Sequence, residues 1–114
     1  MECRINAENP QRGFQPSAGT ITRMIAPGGP GIRFDSHAHA GYTVPPYYDS
    51  MIGKLIVHQP TRAEAIECMH RGLDELRIEG IETTAGFHKQ ILRDSTFVDG
   101  WIDTTYVERM NLGG

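Results

Sequence analysis

No apolar run of roughly 18 residues, the length that spans a bilayer as helix, occurs in this chain of 114 residues. Its first residues, MECRINAEN, also lack the apolar segment of a secretory signal. Neither a spanning helix nor export is expected, and a reducing cytoplasm is the expected compartment. Cysteine is scarce: Cys3 and Cys68 stand far apart, with no spaced Cys/His set of the zinc type, so neither a disulfide nor a structural metal is expected. Basic charge is scarce as well. With 11 Lys and Arg against 14 Asp and Glu and no long basic run, the chain lacks the electrostatic footprint of a nucleic-acid binder. No internal repeat, heptad array or low-complexity tract is present.

Glycine and proline are plentiful, 13 and 7 residues, and fall mainly between positions 10 and 53. That half reads as short strands separated by turns. Glu2 to Glu8 is the first, stopped by Asn9-Pro10 and Arg12-Gly13. Gly19 to Ala26 and Ile32 to His37 alternate apolar with polar residues, as half-buried strands do. Between them Pro27-Gly28-Gly29-Pro30-Gly31 must be a loop. Met51 to His58 is the most apolar run, and its length and β-branched content favour a buried strand.

The second half changes period. Thr61-Arg62-Ala63-Glu64 has capping-box spacing and opens a helix, along which Ala65, Ile66, Met69, Leu73 and Leu76 form one apolar stripe. Glu67 and Arg71, four apart, are expected to pair on the solvent side. Gly80 is expected to end this helix, with Ile81 to Thr83 returning as a short strand. A second helix is expected from Thr84 to Arg93, with Phe87, Ile91 and Leu92 inward, and a last helical turn at Tyr106 to Met110. Strands followed by helices argue for one α+β domain over residues 1–114.

Two blocks are too particular for generic strand-and-turn chemistry: Glu2-Cys3-Arg4-Ile5-Asn6-Ala7-Glu8, and the run from Gly41 through Val44-Pro45-Pro46-Tyr47-Tyr48-Asp49-Ser50-Met51-Ile52-Gly53-Lys54 to Ile56. Together they resemble the C-terminal domain of biotin carboxylase, and the likeness runs more weakly almost to the end of the chain. The resemblance implies a twisted antiparallel sheet of barrel-sandwich type followed by two or three helices. The variants RINAE and YYDSMIGKL are most like the biotin carboxylase subunit of bacterial acetyl-CoA carboxylase, with propionyl- and methylcrotonyl-CoA carboxylases as nearer competitors than pyruvate carboxylase.

Arg4 is the leading candidate for chemistry. On residue type alone it is a strand cation that pairs with Glu2 or Glu8 on its own face. The resemblance implies more: the arginine of this motif holds the ureido oxygen of biotin, where negative charge develops as biotin N1′ loses its proton. A multi-donor cation suits that place because it binds the charged state better than neutral biotin. The loop from Pro27 to Arg33 is Gly-rich but lacks P-loop spacing, and the resemblance assigns Pro30 and Arg33 to a homodimer interface. Asp49 is implied to lie near the active site and that interface. His37 and His39, two apart, would share a face of a strand and offer two imidazoles to a metal, with packing the favoured alternative. Lys54 is expected to be a solvent-facing or paired strand lysine. Thr84 stands where the family commonly has Asn, and either residue caps a helix.

The resemblance further implies biotin on a carboxyl carrier protein as the substrate, ATP and Mg held in an ATP-grasp domain that this sequence does not contain, and no cofactor bound by the chain alone. Its implied partners are the carrier protein, a second copy, the rest of the biotin carboxylase and the carboxyltransferase subunits. The isolated chain is expected to be inactive. An assembly or dimerisation domain without enzymatic activity is the alternative.

Overall fold

The computed structural model describes residues 1–45 and 50–94. In chain order the strands are β1 (Glu2–Asn6), β2 (Glu8–Asn9), β3 (Gln15–Pro16), β4 (Gly19–Thr20), β5 (Arg23–Ile25), β6 (Ile32–Ser36), β7 (Thr43–Val44), β8 (Met51–Val57) and β9 (Arg77–Glu79). Among the described residues two α-helices follow the main strands, α1 (Arg62–Glu75) and α2 (Ala85–Arg93). The longest strand, β8, is the centre of a three-stranded antiparallel sheet in the order β1-β8-β6. The remaining strands form the two-stranded ladders β2-β3, β4-β7 and β5-β9, and no sheet among the described residues closes into a barrel.

Period-2 alternation fixes the register of the large sheet, because a slip of one residue would turn every apolar side chain to water. Cys3 pairs with Leu55 and Ile5 with Gly53 on one flank, and Phe34 pairs with Leu55 and Ile32 with Val57 on the other. These residues face the core. Register shifts between Ile5 and Asn6, where Asn6 already pairs with Met51. Residue Ile52 is thereby left over on the β8 side, and it is buried.

Helix α1 lies on that core. Thr61 caps it, its hydroxyl accepting from Glu64 N at 3.2 Å. The capping box closes differently from the expected reciprocal form: the Glu64 carboxylate accepts the Thr61 hydroxyl proton at 3.1 Å. The predicted stripe is buried as a set, with Ala65, Ile66, Met69, Leu73 and Leu76 joined by Cys68 and Gly72. Gly72 lets the helix approach β8 closely, since a Cβ there would lie 3.3 Å from a Leu55 methyl. Arg71 pairs with Glu75 at 4.0 Å instead of Glu67.

The helix ends earlier than Gly80 predicts. Leu76 is already extended, and the strand placed at Ile81 to Thr83 from sequence lies instead at Arg77–Glu79, antiparallel to β5. Leu76 and Ile78 continue the core at spacing two in place of four, so ladder pairing with Arg23–Ile25 outweighs further helical turns. Helix α2 matches its expected span, although Ile91 is half-buried where Phe87 and Leu92 are buried. It is tied to α1 by a polar chain: Arg93 Nε donates to His70 Nε2 at 2.8 Å, and His70 Nδ1 and Lys89 Nζ both reach Asp74, at 3.2 and 3.1 Å. The Lys89 hydrogen bond holds the Asp74 carboxyl below its ordinary pKa. The helical turn expected at Tyr106 to Met110 lies outside the described residues.

Two glycines at close contacts should differ in their tolerance of a methyl group. At Gly53 a Cβ would fall 2.6 Å from Phe34 Cζ and 3.2 Å from Asp35 O, so Gly53→Ala must displace a ring and a main chain. It should destabilise the domain by about 1–3 kcal/mol, the usual range for overpacking. At Gly72 only the tip of Leu55 must yield, and alanine gains about 1 kcal/mol in helix propensity, so Gly72→Ala should be nearly neutral. Urea melts of the two variants that rank them in the reverse order would refute this packing.

Candidate functional site

The outer face of the three-stranded sheet carries charge. Arg4 of β1 is the register partner of Lys54 in β8, which is in turn the partner of Asp35 in β6, and one row along Glu2, Ile56 and Arg33 are aligned in the same way. Direct register partners share a face, so these six side chains stand together. Each flanking strand neutralises itself: Arg4 Nε donates to Glu2 Oε2 at 3.4 Å, and Arg33 contacts Asp35 Oδ2 at 3.1 Å. Lys54 has no ion-pair partner among the described residues, which leaves two like charges side by side at Arg4 and Lys54. The face is net positive there. Both arginine side chains are well exposed, 66% for Arg4 and 70% for Arg33.

The main chain beneath Arg4 is held more firmly than its side chain. Met1, Cys3 and Ile5 direct their backbone groups to β8, so those of Arg4 and Asn6 point to the open edge of the sheet. The start of α2 closes that edge. Thr84 N donates to Asn6 O at 3.0 Å, Asn6 N donates to the Thr84 hydroxyl at 3.0 Å, and the hydroxyl donates onward to Arg4 O at 3.2 Å. His88, one turn along α2, lies with Nε2 2.7 Å from the same carbonyl. Thr84 therefore does not cap its helix as its position predicts; it makes no side-chain cap bond, and Thr83 Oγ1 accepts from Ala85 N instead. Sequence reasoning missed His88 altogether. Its signal was the i, i+4 spacing from Thr84, which places both on one helix face.

Other candidates are dispersed. The loop from Pro27 to Gly31 leads into β6 and opens no helix, and Gly28 to Pro30 are exposed, close in sequence to Ile25, itself 41% exposed. His37 and His39 lie beyond the end of β6 and pack edge-on against the Tyr42 ring, at centroid distances of 5.4 and 5.8 Å. His39 Nδ1 also bonds Ala40 O at 2.8 Å. Among the described residues no three of His, Cys, Asp and Glu come together as a metal site, and no helix is long and apolar enough to cross a membrane. Asp49 lies outside the described residues. On the inner face, under Arg4, the Cys3 thiol is free and buried, and its pKa is pushed up to about 11 mainly by desolvation.

A model of the biotin carboxylase C-terminal domain matches residues 2–109. The chain belongs to this family. It is 53% identical over 114 residues to biotin carboxylase 1 of Bacillus subtilis and 51% identical over 111 residues to the biotin carboxylase of a Nostoc species, covering 25% of each. The chain thus spans about a quarter of the length of these curated relatives. Among solved structures, the biotin carboxylase domain of Hydrogenobacter thermophilus 2-oxoglutarate carboxylase, a dimer with MgADP, ADP and bicarbonate, superimposes with a TM-score of 0.92. Its identity is 47%, over 94% of this chain and 24% of that one. Sequence identity does not separate the carboxylases: the biotin carboxylase subunit of a pyruvate carboxylase is 46% identical, close to the 47% of the Campylobacter jejuni biotin carboxylase. The Rhizobium etli pyruvate carboxylase is 33% identical, with a TM-score of 0.92.

A thiol with a pKa near 11 is protonated at pH 8.5 and buried, so Cys3 in this C-terminal domain should resist alkylation. In the folded protein, iodoacetamide should modify the Cys3 peptide about 10²-fold more slowly than in urea, since the thiolate is the reacting form. Equal rates would place Cys3 outside the core.

Proposed function

We propose that this chain is the C-terminal part of a biotin carboxylase, the enzyme that carboxylates biotin on its carrier protein with ATP and bicarbonate, and that Arg4 is its contribution to the reacting centre. The exposed guanidinium on a fixed strand carries this reading. Its pair with Glu2 is an open surface pair of the kind worth about 0.2–1 kcal/mol, so little opposes its transfer to a stronger acceptor. When biotin loses its N1′ proton, charge moves onto the ureido oxygen. A guanidinium aimed there binds the developing oxyanion better than neutral biotin, and the neighbouring Lys54 ammonium adds to the positive potential.

ATP and Mg are assigned to the part of the relatives that the chain does not span, because the Gly-rich loop of the described residues opens a strand and offers no helix N-terminus to a phosphate. The chain alone is accordingly inactive in this reading, and the three-stranded sheet and the three two-stranded ladders are parts of the family's barrel-sandwich arrangement. The motifs around Arg4 and Lys54 favour the acetyl-CoA carboxylase of fatty acid synthesis as the parent system, with the carrier protein and carboxyltransferase subunits as partners. The likeness to pyruvate and 2-oxoglutarate carboxylase structures supports a second reading, in which the acceptor is a 2-oxo acid. A purely structural dimerisation domain would leave Arg4 without a task.

In the full-length protein carrying this chain, Arg4→Met should lower biotin-dependent carboxylation by about 10²-fold, the scale of losing one oxyanion donor. Bicarbonate-dependent ATP cleavage without biotin should survive far better. Equal loss of both reactions would instead assign Arg4 to the fold or to the bicarbonate site.

Pro30 and Arg33, both exposed, are proposed to face a second copy. Arg33→Glu sets like charge against the twofold-related surface and should shift the full-length protein from dimer toward monomer in sedimentation. Unchanged dimerisation would remove the interface assignment.

A further inference from the structure

We infer that His88 and Thr84 are positioning residues for Arg4, clamping the main-chain carbonyl of that residue so that its guanidinium is delivered to a fixed point. The inference rests on the proposed role of Arg4 and adds to it two residues of α2 that do not themselves meet the substrate. An edge strand has unpaired backbone groups and opens more readily than a central one. Arg4 sits on such a strand: among the described residues β1 has a strand neighbour, β8, on one side only. A long side chain magnifies any rotation at its Cα, and misplacement by about 1 Å can cost on the order of 10²-fold in rate.

The clamp has the chemistry to prevent that rotation. The Arg4 carbonyl has two lone pairs, and it receives two donors, His88 Nε2 at 2.7 Å and the Thr84 hydroxyl at 3.2 Å. For His88 to donate there, Nε2 must carry the proton. Burial lowers the His88 pKa and so favours the neutral ring, against the opposing pull of the Arg4 carbonyl. Thr84 is the one buried polar residue among the described residues, 4% exposed, and its hydroxyl accepts from Asn6 N as it donates to Arg4 O. Phe87, buried beside them, packs edge-on against Phe14 with centroids 5.1 Å apart and so fixes the start of α2 against the β2-β3 region.

The test uses the full-length protein with two readouts, biotin-dependent carboxylation and biotin-independent, bicarbonate-dependent ATP cleavage. His88→Ala should lower the first by roughly 10–100-fold through kcat and leave the second within about twofold, because only the Arg4 step needs the clamp. His88→Gln, whose amide can still donate to the carbonyl, should restore most of the loss, and Thr84→Ser should likewise outperform Thr84→Val. In an Arg4→Met background, His88→Ala should cost nothing further.

Equal loss of both reactions in His88→Ala, failure of Gln to rescue, or full additivity with Arg4→Met would each overturn the positioning role. Should His88→Ala not fold, the His88→Gln variant and the comparison of Thr84→Ser with Thr84→Val test the clamp by the same two readouts. Arg4→Met on its own separates the two levels: if it does not split the reactions, the proposed role of Arg4 falls and this inference with it. If it splits them and the His88 and Thr84 variants match wild type, the positioning role alone is wrong.

Discussion

Strand β8 is the constraint on which the remaining structure depends. It is hydrogen-bonded on both edges, to β1 and β6, while Leu55 and Val57 on its inner face form the floor on which α1 is packed. Full burial of a side chain such as Leu55, Ile52 or Met69 contributes about 1.5–3 kcal/mol, so this layer contact supplies a large part of the core. Its geometry depends on two absent side chains. Gly53 makes room for the Phe34 ring on the sheet, and Gly72 lets the helix come down onto Leu55.

The same pairing decides the outer face. Because antiparallel partners stand opposite one another, burying Cys3, Leu55 and Phe34 on one side forces Arg4, Lys54 and Asp35 into a row on the other. The charges are arranged without strong local compensation: two exposed i, i+2 pairs and one lysine. A structure optimised for its own stability gains little from such a face. The inner core and the charge pattern of the outer face thus follow from one register.

Much of the fold was legible in the sequence. Alternation located β6, the turn residues after Glu8 bounded β1, and the apolar, β-branched run located β8, each to within a residue or two, and the Thr61 box located the start of α1, because these signals are local. The end of α1 was not legible. Gly80 is a good stop signal, yet the helix gives way at Leu76 because Arg77–Glu79 finds a partner in β5, more than fifty residues earlier in the chain. The Glu67–Arg71 pairing failed for a similar reason. Arg71 had a second acid at the same spacing, Glu75, and only the rotamer in the packed helix chooses between them.

What the sequence determined by itself is therefore the family, the candidate arginine and the alternation that presents it to solvent, since motif identity and side-chain period are properties of neighbouring residues. The tertiary structure alone decided what holds that arginine's backbone. Thr84 looks like a helix cap at its place in the chain, and His88 like an unremarked polar residue of α2. Folding brings both to the open edge of β1, eighty residues away, where unpaired carbonyls and N–H groups are expensive to bury and draw the nearest donors and acceptors to themselves.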